Sequence, residues 1–140
     1  MQNLNYGVIG NCSTAALISE KGAIEWLCFP EFDSPSVFAA ILDRQKGGHF
    51  GFKVTSDYKV TQSYVPHTNI LSTHFESEEG AFDVVDFMPC YPTSDGKDFY
   101  RPAEIYRYIR WAKGRPRMKV DYRPAPNYAR GKTIYNVPSQ

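Results

Sequence analysis

Two apolar runs near the start of the chain, residues 15–19 (AALIS) and 23–29 (AIEWLCF), are joined by Glu20-Lys21-Gly22. A short connection ending in Gly between two such runs predicts a β-hairpin. Pro30 and Pro35 then interrupt the pattern, since each removes a backbone donor and restricts the residue before it. Asp33 or Ser34 is placed to cap a short helix with Pro35 at its first position, and Val37, Phe38, Ile41 and Leu42 recur at helical spacing until Gly47-Gly48. From His49 onward the period becomes two: Phe50 and Phe52, then Tyr58 and Val60, alternate with polar positions. Residues 68–75 and 82–87, separated by Glu79-Gly80, have the length and β-branched content of strands. Residues 89–96 form a loop by composition. Residues 105–111 predict another strand, and Gly114-Arg115-Pro116 turns it into the clearest alternation in the chain. There Met118, Val120 and Tyr122 define a dry face, and Arg117, Lys119, Asp121 and Arg123 a wet one. A last strand is expected over residues 133–137. About eight short strands and one small helix are the elements of an all-β, antiparallel sandwich.

Composition narrows this picture. The chain has 140 residues, enough for one domain with a single core. Its aromatic content of 15%, with ten Gly and ten Pro, favours β-structure. No apolar run is long enough to span a bilayer. The N-terminus lacks the basic and apolar regions of a secretory signal, so Cys12, Cys28 and Cys90 are expected to be reduced thiols in a cytoplasmic protein. Their wide spacing, with no histidine at ligand distance, argues against a metal site, and neither a metal nor a cofactor is expected.

Charge is unevenly distributed. Residues 1–100 hold 6 Lys+Arg against 13 Asp+Glu, whereas residues 101–140 hold 10 against 2. Arg101, Arg107, Arg110, Lys113, Arg115, Arg117, Lys119 and Arg123 interleave with Tyr106, Tyr108, Trp111 and Tyr122. A basic, aromatic strand pair can bind single-stranded nucleic acid. The same pattern also describes the solvated face of a hairpin, or a face set against acidic residues, for which the first part of the chain is the internal partner; this second reading is the expected one, with neither nucleic acid nor membrane as a partner.

Candidate acid or base groups are Asp33, Asp83 and Asp86, but their spacing does not pair any two across a cleft. Asp86, near a strand end, fits a turn-stabilising role. His67 and His74 do not converge and read as structural. Gly7 and Gly10 belong to no phosphate-binding loop. Trp26, Phe29, Pro30, Phe32, Asp33 and Ser34 together suggest a stiff, partly apolar ledge suited to stacking on a sugar ring or packing against another domain. Ordinary core packing is the competing reading for Trp26 and Phe29.

These residues carry a family resemblance. The segments 9–19 (IGNCSTAALIS) and 22–38 (GAIEWLCFPEFDSPSVF), followed in order by 64–73 (YVPHTNILST), 86–89 (DFMP) and 122–130 (YRPAPNYAR), resemble the N-terminal region of glycoside hydrolase family 15 glucoamylase- and trehalase-like enzymes. The resemblance implies a β-sandwich, super-sandwich-like and incomplete here, that precedes an (α/α)6 barrel. In the family the barrel carries the acid and base glutamates that hydrolyse an α-glucosidic bond with inversion, a mechanism needing space for a water between them.

No helical repeats or glutamate motifs of that barrel occur in these 140 residues, so the chain is expected to be one N-terminal domain, 1–140, inactive by itself. Its expected partner is the catalytic barrel, with the α-glucoside reached only indirectly. The Phe29–Ser36 turn is the expected contact surface, with Trp26, Phe32 and Asp33 nearest the sugar pocket. The final block departs from the family's Pro-Arg, spacer, Asp-Tyr-Gly-Arg, reading Pro124-Ala125-Pro126-Asn127-Tyr128-Ala129-Arg130. The loss of that arginine, acid and glycine bears on any charge pair or tight turn they make. Open sheet edges or an open apolar face are expected where family strands would follow. A free-standing carbohydrate-binding module, or a module self-associating through those edges, is the alternative.

Overall fold

A computed structural model describes residues 4–55, 57–131 and 133–134. Twelve strands are present among them: β1 Tyr6–Gly10, β2 Ala15–Ser19, β3 Ile24–Cys28, β4 Ser36–Phe38, β5 His49–Lys53, β6 Lys59–Tyr64, β7 Leu71–Glu76, β8 Gly80–Phe87, β9 Tyr91–Pro92, β10 Phe99–Tyr100, β11 Tyr106–Gly114 and β12 Lys119–Arg123. One sheet runs β1-β2-β3-β5-β12, with β4 also paired to β3; the second runs β6-β7-β8-β11. Every pairing is antiparallel. β9 and β10 make a separate two-stranded ribbon inside the expected 89–96 loop and beyond it.

The two sheets pack face to face. Ile9, Ala16, Ile18, Ile24, Leu27 and Phe38 of the first meet Leu71 of the second, and Met88 just beyond β8, in one buried cluster. Phe75, Phe82 and Val84 form another, covered by Phe52, Tyr58, Val60 and Met118. Phe75 and Phe82 stack with centroids 4.6 Å apart, a cross-strand aromatic pair of the kind that stabilises a sheet beyond its buried area. The first hairpin forms as the pattern predicts. Gly22 turns it at φ +73°, with its N–H bonded to the Ser19 carbonyl at 2.8 Å.

The helix expected from Pro35 is absent. Residues 36–38 instead form β4, because the Leu27 and Cys28 end of β3 offers a free strand edge and Phe38 can then enter the core beside Leu27. β4 and β5 both run antiparallel to β3 and are interrupted by an excursion over residues 39–48. Ala39 N–H bonds to the Gly47 carbonyl at 2.7 Å across its neck. A side chain at Gly47 would place Cβ 2.2 Å from the Ala39 carbonyl oxygen, so the neck requires glycine.

The short helix lies elsewhere, as the single turn α1, Pro126–Ala129. Asn127, Tyr128 and Ala129 have φ of 53°, 55° and 60°, left-handed values that cost L-residues about 1–2 kcal/mol each. Tertiary bonds offset this cost: Ala125 N–H donates to the Val37 carbonyl at 3.0 Å, and Tyr128 N–H to Ser36 Oγ at 3.1 Å. The tight turn therefore persists with Ala129 at the position where the resemblance implies a glycine. Of the strand expected over 133–137, Thr133 and Ile134 are not in a strand, and residues 135–137 lie outside the described residues.

Candidate functional site

The ledge leaves β3 through a cis Phe29–Pro30 bond. Phe32 N–H donates to the Ser13 carbonyl at 3.0 Å, which fastens the turn to the β1–β2 connection. Ser34 closes it from within, its N–H bonding to the Glu31 carbonyl and its Oγ accepting the Glu31 N–H, both at 3.1 Å. Phe32 is 62% exposed, and Pro30 and Asp33 are also exposed at this tip.

The six candidates do not form one surface. Phe29 packs against the inner core. Trp26 pairs in register with Leu17 and points to the outer face of its sheet, because its neighbour Leu27 is buried in the core. There the Tyr128 ring lies against it, 6.4 Å between centroids and tilted by 47°. Sequence reasoning did not select Tyr128. Its contact with Trp26 depends on α1, which no periodicity announces.

The carboxylates separate as well. Asp83 and Asp86 project from opposite faces of β8, and Asp33 is at the distant tip. Asp83 accepts a hydrogen bond from His74 Nδ1 at 2.6 Å and pairs with Arg110 at 2.8 Å. Burial pushes its carboxyl up, but the His74 hydrogen bond and the Arg110 guanidinium outweigh burial and hold it below the ordinary carboxylate range. On the same outer face Lys113 pairs with Glu76, and between the turns that follow β7 and β11 Arg117 lies 3.8 Å from Glu79. The basic strand thus lies along the acidic strands before it, the internal partner expected from the charge split.

Asp86 does not serve a turn. It is 0% exposed and receives two bonds from Arg107, at 2.7 and 3.0 Å. The Arg107 side chain is 3% exposed. It crosses from β11 to the opposite sheet, donating to the Phe50 and Gly22 carbonyls, with its guanidinium 4.8 and 5.0 Å from the Phe50 and Phe52 ring centres. Burial pushes the Asp86 carboxyl up against the opposing pull of Arg107. Arg107, paired with Asp86 within its own sheet, therefore ties the two sheets together through the core by its bonds to the Phe50 and Gly22 carbonyls.

The two ends of the sandwich differ. At one end, Tyr64 of β6 donates its OH to the Val8 carbonyl of β1 at 2.9 Å and accepts the Val8 N–H at 2.8 Å. Gln62 reaches the Ser19 carbonyl at 2.8 Å. At the other, β11 and β12 are the edge strands of their sheets. Ile109 and Trp111 share register with core residues Val84 and Phe82, and Val120 and Tyr122 with Phe52 and Phe50, so all four face the space between the sheets. They are nevertheless 40%, 67%, 50% and 50% exposed. The face expected to be dry is half wet, because no layer covers it among the described residues. The wet face holds the better-shielded Asp121, bonded to His49 at 2.9 Å, Lys53 at 3.0 Å and Arg123 at 2.8 Å.

Among the described residues, no group of three or more His, Cys, Asp or Glu is arranged to hold a metal, and no helix is long and apolar enough to cross a membrane. Residues 5–137 match the family model described as trehalase-like, N-terminal. The chain is 36% identical over 132 residues to a trehalase of Thermoplasma volcanium, covering 92% of this chain and 20% of that protein. It is 33% identical over 141 residues to a trehalase of Mycolicibacterium smegmatis, covering 90% and 20%, and 51% identical over 85 residues to trehalase 1 of Sulfolobus acidocaldarius, covering 59% and 14%. The chain thus spans one fifth or less of the length of these curated relatives. No solved structure matches it.

Proposed function

The chain belongs to the trehalase-like N-terminal family, and from that premise we propose that it is the accessory domain of an inverting, family 15-like α-glucosidase, inactive alone and packed on a catalytic barrel. The observation that carries this reading is the match of nearly the whole chain to one fifth of each of two trehalases. The dispersal of Asp33, Asp83 and Asp86 supports it, since inversion needs two carboxyls facing across a water.

The pinned turn from Phe29 to Ser36 is the proposed contact with the barrel. Of the ledge residues, the exposed Phe32 and Asp33 are the proposed neighbours of the sugar pocket. The half-buried Trp26 lies apart from them, on the outer face of its sheet. Its cover by Tyr128 disfavours an open stacking platform, and so disfavours a free-standing sugar-binding module. In the intact enzyme, Phe32→Ala and Asp33→Ala are expected to raise KM or lower kcat for trehalose or a related α-glucoside. Unchanged kcat and KM in both variants would remove the site role. Heat on titrating this chain alone with maltose, isomaltose or trehalose would favour the binding-module alternative.

A further inference from the structure

We propose that Cys12 and Cys90 form a dithiol site that closes as a reversible disulfide when a hydroperoxide oxidises it, linking the hairpin of one sheet to the exit of the other. Both thiols are exposed, and both line one cavity of about 460 Å³ where the β1–β2 turn meets the segment leaving β8. Ile70, Phe87 and Met88 give the cavity an apolar wall. A second set of contacts brings the two cysteines together. Asn11 Nδ2 donates to the Pro102 carbonyl at 3.1 Å, which ties the chain just beyond β10 to the turn that carries Cys12. Within the ribbon Tyr100 pairs with Tyr91, the neighbour of Cys90. Cys28, 4% exposed in β3, is not among the cavity residues and takes no part.

The two halves of the site differ in freedom. Cys12 has a left-handed φ of 68° in a turn that Asn11 fixes, its Oδ1 accepting the Ser13 and Thr14 N–H groups at 3.0 and 3.1 Å. Cys90 lies in the irregular link between β8 and β9, and the ribbon it leads to pairs with neither sheet. A disulfide needs its Cα atoms within about 7 Å, and the Cys90 side is the one able to supply that approach. In the first step one thiolate attacks a peroxide oxygen and breaks the O–O bond, giving a sulfenic acid and hydroxide. The other thiolate then attacks the sulfenic sulfur and expels a second hydroxide. The thiol protons convert both hydroxides to water, so two thiols and one hydrogen peroxide give one disulfide and two waters, with two electrons passing from sulfur to peroxide oxygen. The closed bond clamps the ends of both sheets. It also clamps the root of the ledge, because Phe32 N–H is bonded to the Ser13 carbonyl beside Cys12.

Oxidation of the intact protein with a small excess of hydrogen peroxide, followed by non-reducing peptide mapping, tests the site. A peptide pair joined through Cys12 and Cys90 is expected, split by dithiothreitol and formed to the same extent on dilution. Its formation should raise the thermal midpoint by several degrees, because the bond closes a long loop of the unfolded chain. Cys12→Ser and Cys90→Ser, both at exposed positions, should each abolish the pair and the rise. Sulfenic or sulfinic acids persisting separately on Cys12 and Cys90 would overturn the proposal. So would a bond to Cys28, or cross-links between chains that fade on dilution.

Discussion

Replacing Arg107 by Met removes the cation from the core while retaining much of its apolar volume. Asp86, 0% exposed, then loses both bonds from the guanidinium, and the Phe50 and Gly22 carbonyls lose a donor. Removing one partner of a buried ion pair costs about 3–5 kcal/mol. Protonation caps the penalty: keeping Asp86 neutral at pH 7 against an unfolded pKa of about 3.9 costs about 4.2 kcal/mol, at about 1.36 kcal/mol per pH unit. The two estimates agree. The sign follows from the raised native pKa of the stranded carboxyl. Its neutral form is the one the fold accepts, so the variant regains stability as pH falls toward the unfolded pKa and loses it as pH rises. Urea unfolding of Arg107→Met is expected to show a gain of about 2.7 kcal/mol between pH 7 and pH 5, a steeper slope than that of the wild type, in which Arg107 opposes the effect of burial on Asp86. The double variant Arg107→Met with Asp86→Asn should lose that slope and recover part of the stability. A loss below about 1 kcal/mol in Arg107→Met, with the wild-type pH dependence, would refute a buried charge held by this arginine.

Other outcomes follow from the same contacts. Asp121 is held far below the ordinary carboxylate range by the hydrogen bond from His49, with Lys53 and Arg123 adding to it against a smaller effect of burial. Its contribution is present above the unfolded pKa and lost as acid protonates it, so thermal scans from pH 5 to pH 2 should show a falling midpoint that Asp121→Asn flattens. Ala129→Gly should stabilise the domain by about 1 kcal/mol in chemical denaturation, because glycine accepts the φ of 60° without the alanine's steric cost. Tyr64→Phe keeps the ring but removes both bonds to Val8, and a loss of about 1 kcal/mol is expected in the same assay. Cys12 and Cys90 are exposed and Cys28 is buried, so a thiol reagent should modify two cysteines in the native protein and the third only on unfolding.

Much of the fold was legible in alternation. The hairpin of β2 and β3 follows from two apolar runs joined by a Gly-containing turn, and β7 and β8 from strand-length, β-branched segments on either side of Glu79-Gly80. The helix over 35–42 was misread because Val37, Phe38, Ile41 and Leu42 satisfy a helical spacing locally, while the unpaired end of β3 rewards a strand. Local periodicity does not contain that tertiary edge. β1 was not selected, since YGVIG contains two glycines and only three apolar side chains. The Asp86 pairing also needed the topology: Arg107 lies 21 residues away in sequence and becomes its direct partner only when β11 pairs with β8. The ledge was visible as a cluster along the sequence. In space its members diverge, because the strand alternation sends Trp26 outward and Leu27 inward, and the turn carries Phe32 and Asp33 to a separate tip. The charge split is met in part, where Asp83 pairs with Arg110 and Glu76 with Lys113.

Glucose release from trehalose, maltose and isomaltose, measured side by side for this 140-residue chain and for the intact protein, tests the central claim most directly. The account predicts release by the intact protein and none above the buffer blank from the chain alone. Sustained turnover by the purified chain, abolished by a single carboxylate substitution within it, would contradict it.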